Sequence, residues 1–216
     1  MLCSPNNPTG TTIEPALLEK LVLRCIKLGI ALAVDECFLP FVNGEMEKSM
    51  VPYLKKYPGN GLYVLRAFTK LYAMPGLRLG YLICGSAEQA QAVRNRGQSW
   101  SVSVPAQAAG LAALKEAGYA AGTAEYVERQ RAYLSGELDR LGLKVYPAEA
   151  NFLLFRHMQA PEWRAKGMLS FADRMQRHGI AVRRCENVRG LGPDYYRIAV
   201  RTEEENREFI RQTEWI

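Results

Sequence analysis

Apolar residues follow two different spacings in the first half of the chain. Between residues 15 and 28 they recur at helical spacing, and Pro15 suits the first turn while Gly29 suits the C-terminal cap. The continuous apolar run 30–34 predicts a buried parallel strand, and 61–68 and 77–84 are further strand candidates. A short helix is predicted over 86–96, with Ser86 and Gln89 in capping-box positions. This alternation of helix and strand favours an α/β unit with a mainly parallel sheet.

The pattern changes in the second half. Helical spacing covers about 106–115 and 120–141, and shorter helices are predicted at 169–178 and from residue 203 onward. Strands are predicted at 144–146, 152–155, 180–184 and 196–200. This arrangement is typical of a smaller α+β unit. We therefore predict two domains, 1–120 and 121–216, with the boundary near Gly118 and Gly122.

Composition narrows the class of protein. Hydrophobic residues make up 48% of the 216 residues and charged residues 23%, which excludes a disordered or collagen-like chain. No apolar run approaches the ~18 residues of a membrane span, and the first residues lack the features of a secretory signal, so we expect a cytoplasmic protein without a membrane partner. Five cysteines without a C-x-x-C pair, and two distant histidines, predict neither a disulfide framework nor a metal site.

The net charge of +6 is a modest excess. Its densest part is the arginine-rich stretch from Arg174 to Arg189, which suits either a solvated surface or recognition of a carboxylate or phosphate. Nucleic-acid binding is a weak hypothesis because no recognised motif accompanies the charge. We therefore expect no nucleic-acid partner.

Several segments at predicted strand ends could carry chemistry. The loop Ser4-Pro5-Asn6-Asn7-Pro8-Thr9-Gly10 follows a short strand, and it could be a plain turn or part of a ligand site. Asp35 could cap a turn or pair with a cationic ligand group. Lys70 could be a surface lysine, or a desolvated amine that forms a Schiff base with a carbonyl. Arg78 could clamp an anion or make an ion pair.

Taken together and in this order, the motifs SPNNPTG, VDE and TK-x₇-R resemble the fold-type I, pyridoxal-phosphate-dependent aminotransferases of class I and II. The resemblance covers nearly the whole chain, whereas the chain covers somewhat more than the C-terminal half of such a protein. It implies an α/β fold: part of the mainly parallel-sheet large domain that binds the cofactor, plus a complete or nearly complete α+β C-terminal small domain. It also implies a homodimer.

The resemblance implies a role for each matching residue on the cofactor side. Lys70 looks like the lysine that binds pyridoxal 5'-phosphate as a Schiff base and moves the proton at the substrate Cα. Asp35 looks like the carboxylate that pairs with the pyridine N–H, which keeps the ring an electron sink. Asn7 looks like the amide that contacts the ring 3′-oxygen. Arg78 looks like a ligand of the cofactor phosphate, and Thr69 like a possible hydroxyl donor.

On the substrate side, Arg197 looks like the small-domain arginine that binds the α-carboxylate, and Arg183 is the best candidate for a second substrate anion. Two positions depart from the usual pattern. Phe38 stands where many relatives have a tyrosine that contacts the 3′-oxygen, and Ala67 where many have a hydroxyl that contacts the phosphate.

Within the family, the segments around Lys70–Tyr81 and Arg183–Arg197 are most similar to threonine-phosphate decarboxylases of cobalamin biosynthesis, and next to histidinol-phosphate aminotransferases. Phe38 fits the decarboxylases better. The expected substrate is therefore an amino-acid phosphate, and either decarboxylation or transamination is consistent with the sequence.

A hypothesis of another class is a folded but catalytically silent fragment. Relatives supply a ring-stacking aromatic residue and a phosphate-binding helix start from residues before the SPNNPTG loop, and neither is in this sequence. On this hypothesis the chain folds but holds pyridoxal phosphate poorly.

Overall fold

The chain forms two compact units in a computed structural model that describes residues 1–215. The first unit consists of Met1–Asn6 and Thr12–Ala124, and the second of Asn7–Thr11 and the residues from Glu125 onward. The units divide between Ala124 and Glu125, whereas the sequence predicts a boundary after residue 120. That they correspond to the large and small domains stays a prediction.

The first unit contains a four-stranded sheet with the order β1-β2-β3-β4. Its strands are β1 (Leu2–Cys3), β2 (Leu32–Asp35), β3 (Leu62–Ala67) and β4 (Gly80–Cys84). The first three are parallel and β4 is antiparallel to β3. The sheet is therefore mainly parallel, and the carboxyl ends of β1, β2 and β3 lie at one edge.

Six helices belong to the first unit: α1 (Pro15–Lys27), α2 (Glu45–Lys48), α3 (Val51–Lys56), α4 (Phe68–Leu71), α5 (Ala87–Arg94) and α6 (Val104–Ala113). The core forms where Leu18 and Val22 of α1 pack with Val34 of β2 and Val64 of β3. All four side chains are almost fully buried, and each contributes about 1.5–3 kcal/mol of hydrophobic stabilisation. The sequence pattern did not predict α2, α3 or α4.

Two local features explain where prediction and structure differ in this unit. Ile30 was predicted to begin a strand, but its N–H donates to the Cys25 carbonyl at 2.9 Å, so it belongs to the turn that ends α1 and is half exposed. The capping box predicted at α5 is half formed. The Ser86 hydroxyl accepts from the Gln89 N–H at 3.3 Å, whereas the Gln89 side chain accepts from Gly85.

The second unit contains an antiparallel sheet with the order β5-β6-β8-β7. In chain order its elements are α7 (Tyr119–Arg140, which begins before the division), β5 (Lys144–Val145), β6 (Phe152–Arg156), α8 (Ala160–Ala165), α9 (Phe171–Arg177), β7 (Arg183–Arg184), β8 (Tyr195–Ala199) and α10 (Glu203–Glu214). The predicted strand 180–184 is shorter because the Ile180 N–H donates to the Met175 carbonyl and closes α9.

Aromatic rings form the centre of the second unit. Phe155 of β6, Phe171 of α9 and Tyr196 of β8 are almost fully buried, with ring centroids 5.4–5.8 Å apart. Leu134 and Leu138 of α7 are also fully buried. This core supports β8, which carries Arg197.

Within residues 1–215, none of the helices is both long enough and apolar enough to cross a membrane. In the same range, no group of three or more His, Cys, Asp and Glu side chains is placed to hold a metal ion. All five cysteines are free thiols.

Candidate functional site

Asp35 ends β2, and Cys37, two positions later, orients its carboxylate. Oδ1 of Asp35 accepts a hydrogen bond from the Cys37 backbone N–H at 2.9 Å. Burial, together with the hydrogen bond and charge of Asp35, raises the pKa of the Cys37 thiol to about 12. The thiol is therefore protonated at neutral pH and can donate to the carboxylate. Asp35 is thus oriented by the amide and the thiol of one residue.

Lys70 lies beside the segment that follows Asp35. β3 ends at Ala67 and leads directly into α4, which carries Lys70 in its last turn. The Lys70 Nζ lies 5.8 Å from the centroid of the Phe38 ring. Because β2 and β3 are parallel neighbours, their carboxyl ends lie at the same edge of the sheet, where ligands bind in α/β proteins. The structure therefore brings Asp35, Phe38 and Lys70 together.

The other two residues of the predicted cofactor set in this unit lie on the segment after β3. Thr69 is half-buried on α4, next to Lys70. Arg78 is exposed and follows the 3₁₀ turn Pro75–Leu77, and its Nη1 donates to the Pro75 carbonyl at 3.1 Å. Its backbone is left-handed, with φ +55°, a conformation that costs a non-glycine residue about 1–3 kcal/mol and recurs at ligand-binding segments.

A buried ion pair behind this edge joins the two strands. Glu36 is completely buried, and its carboxylate accepts from the Met50 N–H at 2.6 Å, the Ser49 hydroxyl at 2.8 Å and the Arg66 Nη2 at 2.7 Å. Arg66 also pairs with Glu45. Since Glu36 follows Asp35 and Arg66 lies on β3 shortly before Lys70, the pair holds the ends of β2 and β3 in register. Sequence reasoning missed this network, although a second acid after a buried strand was a usable signal.

In the second unit, Arg197 lies half-buried on β8. Its guanidinium stands 5.1 Å from the centroid of the Phe152 ring, and its Nη1 donates to the Asn7 Oδ1. Burial lowers the pKa of Arg197, and the positive charge of Arg183 lowers it further. Asn7 and Arg197, which the sequence analysis treats as separate candidates, are therefore direct partners. Phe152 was missed, and the sequence carries no signal that would have found it.

Arg183 lies beside Arg197 on the neighbouring strand. The two residues are directly opposite in the antiparallel pair β7–β8. Both line a cavity of about 610 Å³ whose walls also include Ile198, Arg201 and Phe209. Like charges at opposed positions destabilise a strand pair. A bound anion would remove this repulsion, so the pair favours a ligand that carries negative charge.

Two other arginines of the basic stretch make contacts within the unit. Arg174 stacks over the Trp163 ring at 4.1 Å, and Arg184 pairs with Asp173 of α9. These side chains take part in local packing and ion pairing, which supports the solvated-surface interpretation for this part of the stretch.

The chain matches the family model described as "Aminotransferase class I and II" over residues 1–212. It is 36% identical to the threonine-phosphate decarboxylase of Salmonella typhimurium, over 97% of this chain and 55% of that protein. It is 34% identical to the histidinol-phosphate aminotransferase of Symbiobacterium thermophilum, over 97% of this chain and 54% of that protein. The chain thus spans about half the length of the curated relatives it matches.

The fold is also similar to solved structures. The crystal structure of the histidinol-phosphate aminotransferase from Clostridium acetobutylicum superposes with a TM-score of 0.88 at 27% identity, covering 99% of this chain and 62% of that one. The fold-type I architecture implied by the sequence motifs is confirmed by this likeness. The chain therefore belongs to the class I and II aminotransferases, a family of pyridoxal-phosphate-dependent enzymes.

Proposed function

We propose that these residues belong to an enzyme that acts on an amino-acid phosphate, most like threonine-phosphate decarboxylase. The observation that carries this proposal is the opposed pair Arg183 and Arg197 at one cavity. An amino-acid phosphate offers two anionic groups, and two neighbouring guanidinium groups suit a substrate of that charge. A histidinol-phosphate-type aminotransferase is the alternative. The homodimer and the cytoplasmic location stay predictions.

Arg197 is the proposed ligand of the substrate α-carboxylate. A planar guanidinium binds a carboxylate through two parallel hydrogen bonds, and the Phe152 ring and Asn7 orient this one. Arg183 is exposed, and its Nη2 donates to the Asn187 side chain at 3.2 Å, so it can turn toward a phosphate at little cost. These roles assign the carboxylate to the half-buried arginine and the phosphate to the exposed one.

The donor set fits pyridoxal phosphate. It offers a primary amine on Lys70, a carboxylate on Asp35 whose Oδ1 is already oriented by an amide, and a cation on Arg78. Thr69 adds a hydroxyl, and the family resemblance assigns an amide contact to Asn7. Phe38 and Ala67 contribute no hydroxyl, so contacts to the 3′-oxygen and the phosphate are fewer than in many relatives. When bound, the cofactor supplies an electron sink for the charge that develops at the substrate Cα.

Lys70 is the proposed base and acid of the reaction. Its amine is exposed beside the Phe38 ring, where it is free to hold and return a proton at Cα. Arg197 decides which bond at Cα reacts, because it sets the direction of the carboxylate. The substrate would lose its carboxylate if Arg197 held that bond in the reacting direction, and it would be transaminated if the Cα–H bond were held there instead.

Chemical labelling tests the assignment of Lys70. The protein is incubated with pyridoxal phosphate, reduced with borohydride, digested and mapped by mass spectrometry. We expect the pyridoxyl label on Lys70. A label on Lys48, Lys55 or another lysine instead defeats the assignment. Absence of any label supports the hypothesis of a silent fragment.

A substrate comparison tests the role of Arg183. Binding of O-phospho-L-threonine, L-threonine and L-histidinol phosphate is measured by calorimetry on wild type and Arg183→Ala, with the exposed Arg189→Ala as the matched control. We expect Arg183→Ala to weaken only the phosphorylated ligands, by about 1.5–3 kcal/mol for a lost charged hydrogen bond. Equal loss for L-threonine contradicts the phosphate role. Preference for L-histidinol phosphate favours the alternative function.

A further inference from the structure

Residues 7–11 form a short loop that belongs to the second unit, although the segments on either side of it belong to the first. Two sets of contacts hold the loop there. Asn7 accepts from Arg197 at one end. At the other end, the Gly10 carbonyl accepts from the Glu149 N–H at 2.7 Å and from the Ala150 N–H at 3.2 Å. The position of Asn7 therefore depends on where residues 149 and 150 lie.

Residues 149 and 150 lie in the irregular connection between β5 and β6, where no ladder of strand hydrogen bonds fixes them. Arg131 of α7 supplies the missing anchor. Its Nη1 donates to the Glu149 carbonyl at 2.8 Å and to the Ala150 carbonyl at 3.1 Å. The same two residues thus accept from Arg131 through their carbonyls and donate to Gly10 through their amides.

Because Arg131 is partly removed from water, it needs its hydrogen bonds to the carbonyls of Glu149 and Ala150. The side chain is half-buried, and burial lowers its pKa although Glu128 and Glu149 act in the opposite direction. A desolvated guanidinium that loses its acceptors leaves unpaired donors, which is costly. The anchor is therefore a strong one for a connection that has no regular structure of its own.

Gly10 packs closely against the connection between β5 and β6. Its backbone has φ +75°, and a Cβ atom built there would stand 2.8 Å from the Ala148 Cβ and 3.4 Å from the Phe152 ring. Any other residue would push the loop away from the connection. Close approach and left-handed geometry both require glycine here.

We propose that Arg131 is a positioning residue for Asn7 and Arg197. It fastens the carbonyls of residues 149 and 150, whose amides fix Gly10, and Gly10 in turn holds Asn7 against the Arg197 guanidinium. The meaning of this chain of contacts for substrate binding rests on the proposed function, because Arg197 receives its role there. The mechanical part of the proposal, that Arg131 holds the loop, does not rest on the proposed function.

Amide hydrogen exchange of the full chain tests the mechanical part. We compare wild type, Arg131→Met and the control Arg129→Met, which removes an exposed arginine from the same helix. In Arg131→Met we expect exchange in residues 7–11 and at Glu149 and Ala150 to accelerate about ten- to a hundredfold, as for the loss of charged hydrogen bonds. The control should exchange like wild type. Unchanged exchange in residues 7–11 of Arg131→Met overturns the proposal.

A double-mutant cycle tests whether Arg131 and Gly10 act as one unit. Gly10→Ala disrupts the same junction from the loop side, so we expect it to accelerate exchange in residues 7–11 as Arg131→Met does. The double variant should add less than about threefold to either single change. Fully multiplicative effects overturn the proposal. If Arg131→Met does not fold, Arg131→Lys replaces it, because lysine keeps the charge but cannot reproduce the fixed guanidinium geometry.

Measurements of substrate binding distinguish the proposed role of Arg131 from the proposed function. In calorimetry with O-phospho-L-threonine, we expect Arg131→Met to weaken binding about five- to tenfold, Arg131→Lys less, and Arg129→Met not at all. If wild type binds no phosphothreonine, the proposed function fails while the exchange results still decide the role of Arg131. If wild type binds and Arg131→Met binds equally well, Arg131 holds the loop without positioning Arg197, and the proposal is overturned.

Discussion

The candidate residues of the two units are held in place by different means. In the first unit, Asp35 and Lys70 follow two adjacent parallel strands, and the register of β2 against β3 places both at one edge. In the second unit, Arg197 depends on side-chain partners that are far away in the sequence, since Asn7 is 190 positions earlier. Backbone pairing between strands positions Asp35 and Lys70, whereas contacts with individual side chains position Arg197.

This difference has a consequence for sensitivity to mutation. An arrangement built on a sheet should survive changes to single exposed residues and fail when the sheet ends lose their internal support. An arrangement built on side-chain contacts should lose ligand affinity residue by residue without loss of the fold.

The largest effect is expected from Arg66→Met in the first unit. It leaves the fully buried Glu36 carboxylate without its cation, and an uncompensated buried charge costs about 3–5 kcal/mol. Urea unfolding, with amide exchange of β3, measures the loss. The control Arg211→Met removes an exposed ion pair with Glu208 on α10 and should cost under about 0.5 kcal/mol. Equal losses in the two variants would show that the buried pair does not support the strand ends.

A smaller effect, confined to binding, is expected from Arg197→Ala. Loss of the proposed two-point contact between arginine and carboxylate should weaken binding of the proposed substrate, an amino-acid phosphate, by about 2–4 kcal/mol. Cofactor affinity should stay nearly unchanged. Arg201→Ala is the matched control, because Arg201 lines the same cavity but pairs with Glu205. If cofactor affinity falls as much as substrate affinity, Arg197 is a structural residue.

A change of about 1 kcal/mol is expected from Phe38→Tyr, in the direction of tighter cofactor binding. The added hydroxyl restores the donor that many relatives have at this position, and one hydrogen bond contributes about that much. Cofactor titration followed by visible absorbance measures the change. Phe38→Leu shows what the ring itself contributes beside Lys70. Weaker binding of the tyrosine variant would contradict the assigned position of Phe38.

The smallest effect concerns the pH dependence of the second unit. His157 is buried between the rings of Trp163 and Phe171, and burial lowers its pKa below the usual 6.5, with the charge of Arg174 adding to the shift and that of Asp194 opposing it. The unfolded chain therefore binds a proton that the folded chain does not. Stability should fall as the pH drops below about 6.5.

Urea unfolding between pH 7.5 and 5 measures this dependence. We expect His157→Phe to flatten it and the control His178→Asn, which changes an exposed histidine, to leave it as in wild type. A pH dependence that survives His157→Phe would assign the effect to another group.

Much of the first unit could be predicted from local pattern. Helix α1, strands β2 and β3 and the serine cap of α5 follow from periodicity, caps and buried apolar runs, and they place Asp35 and Lys70 within three residues of the strand ends. The short helices α2, α3, α4 and α8 could not, because segments of four to six residues show less than two turns of periodicity. The prediction that Ile30 begins a strand is wrong, because an apolar residue after a helix can also close the turn that ends the helix.

The sequence alone determined the family, the order of the strands and of the longer helices, and the residue types that the chemistry needs, because motifs and periodicity are local properties. Only the tertiary structure decided that Asn7 pairs with Arg197, that Arg183 stands opposite Arg197, and that Arg131 anchors the connection beneath Gly10. These contacts join residues far apart in the chain through single hydrogen bonds and one strand register. Such contacts leave no periodic signature, because their geometry arises only when the core has brought the elements together.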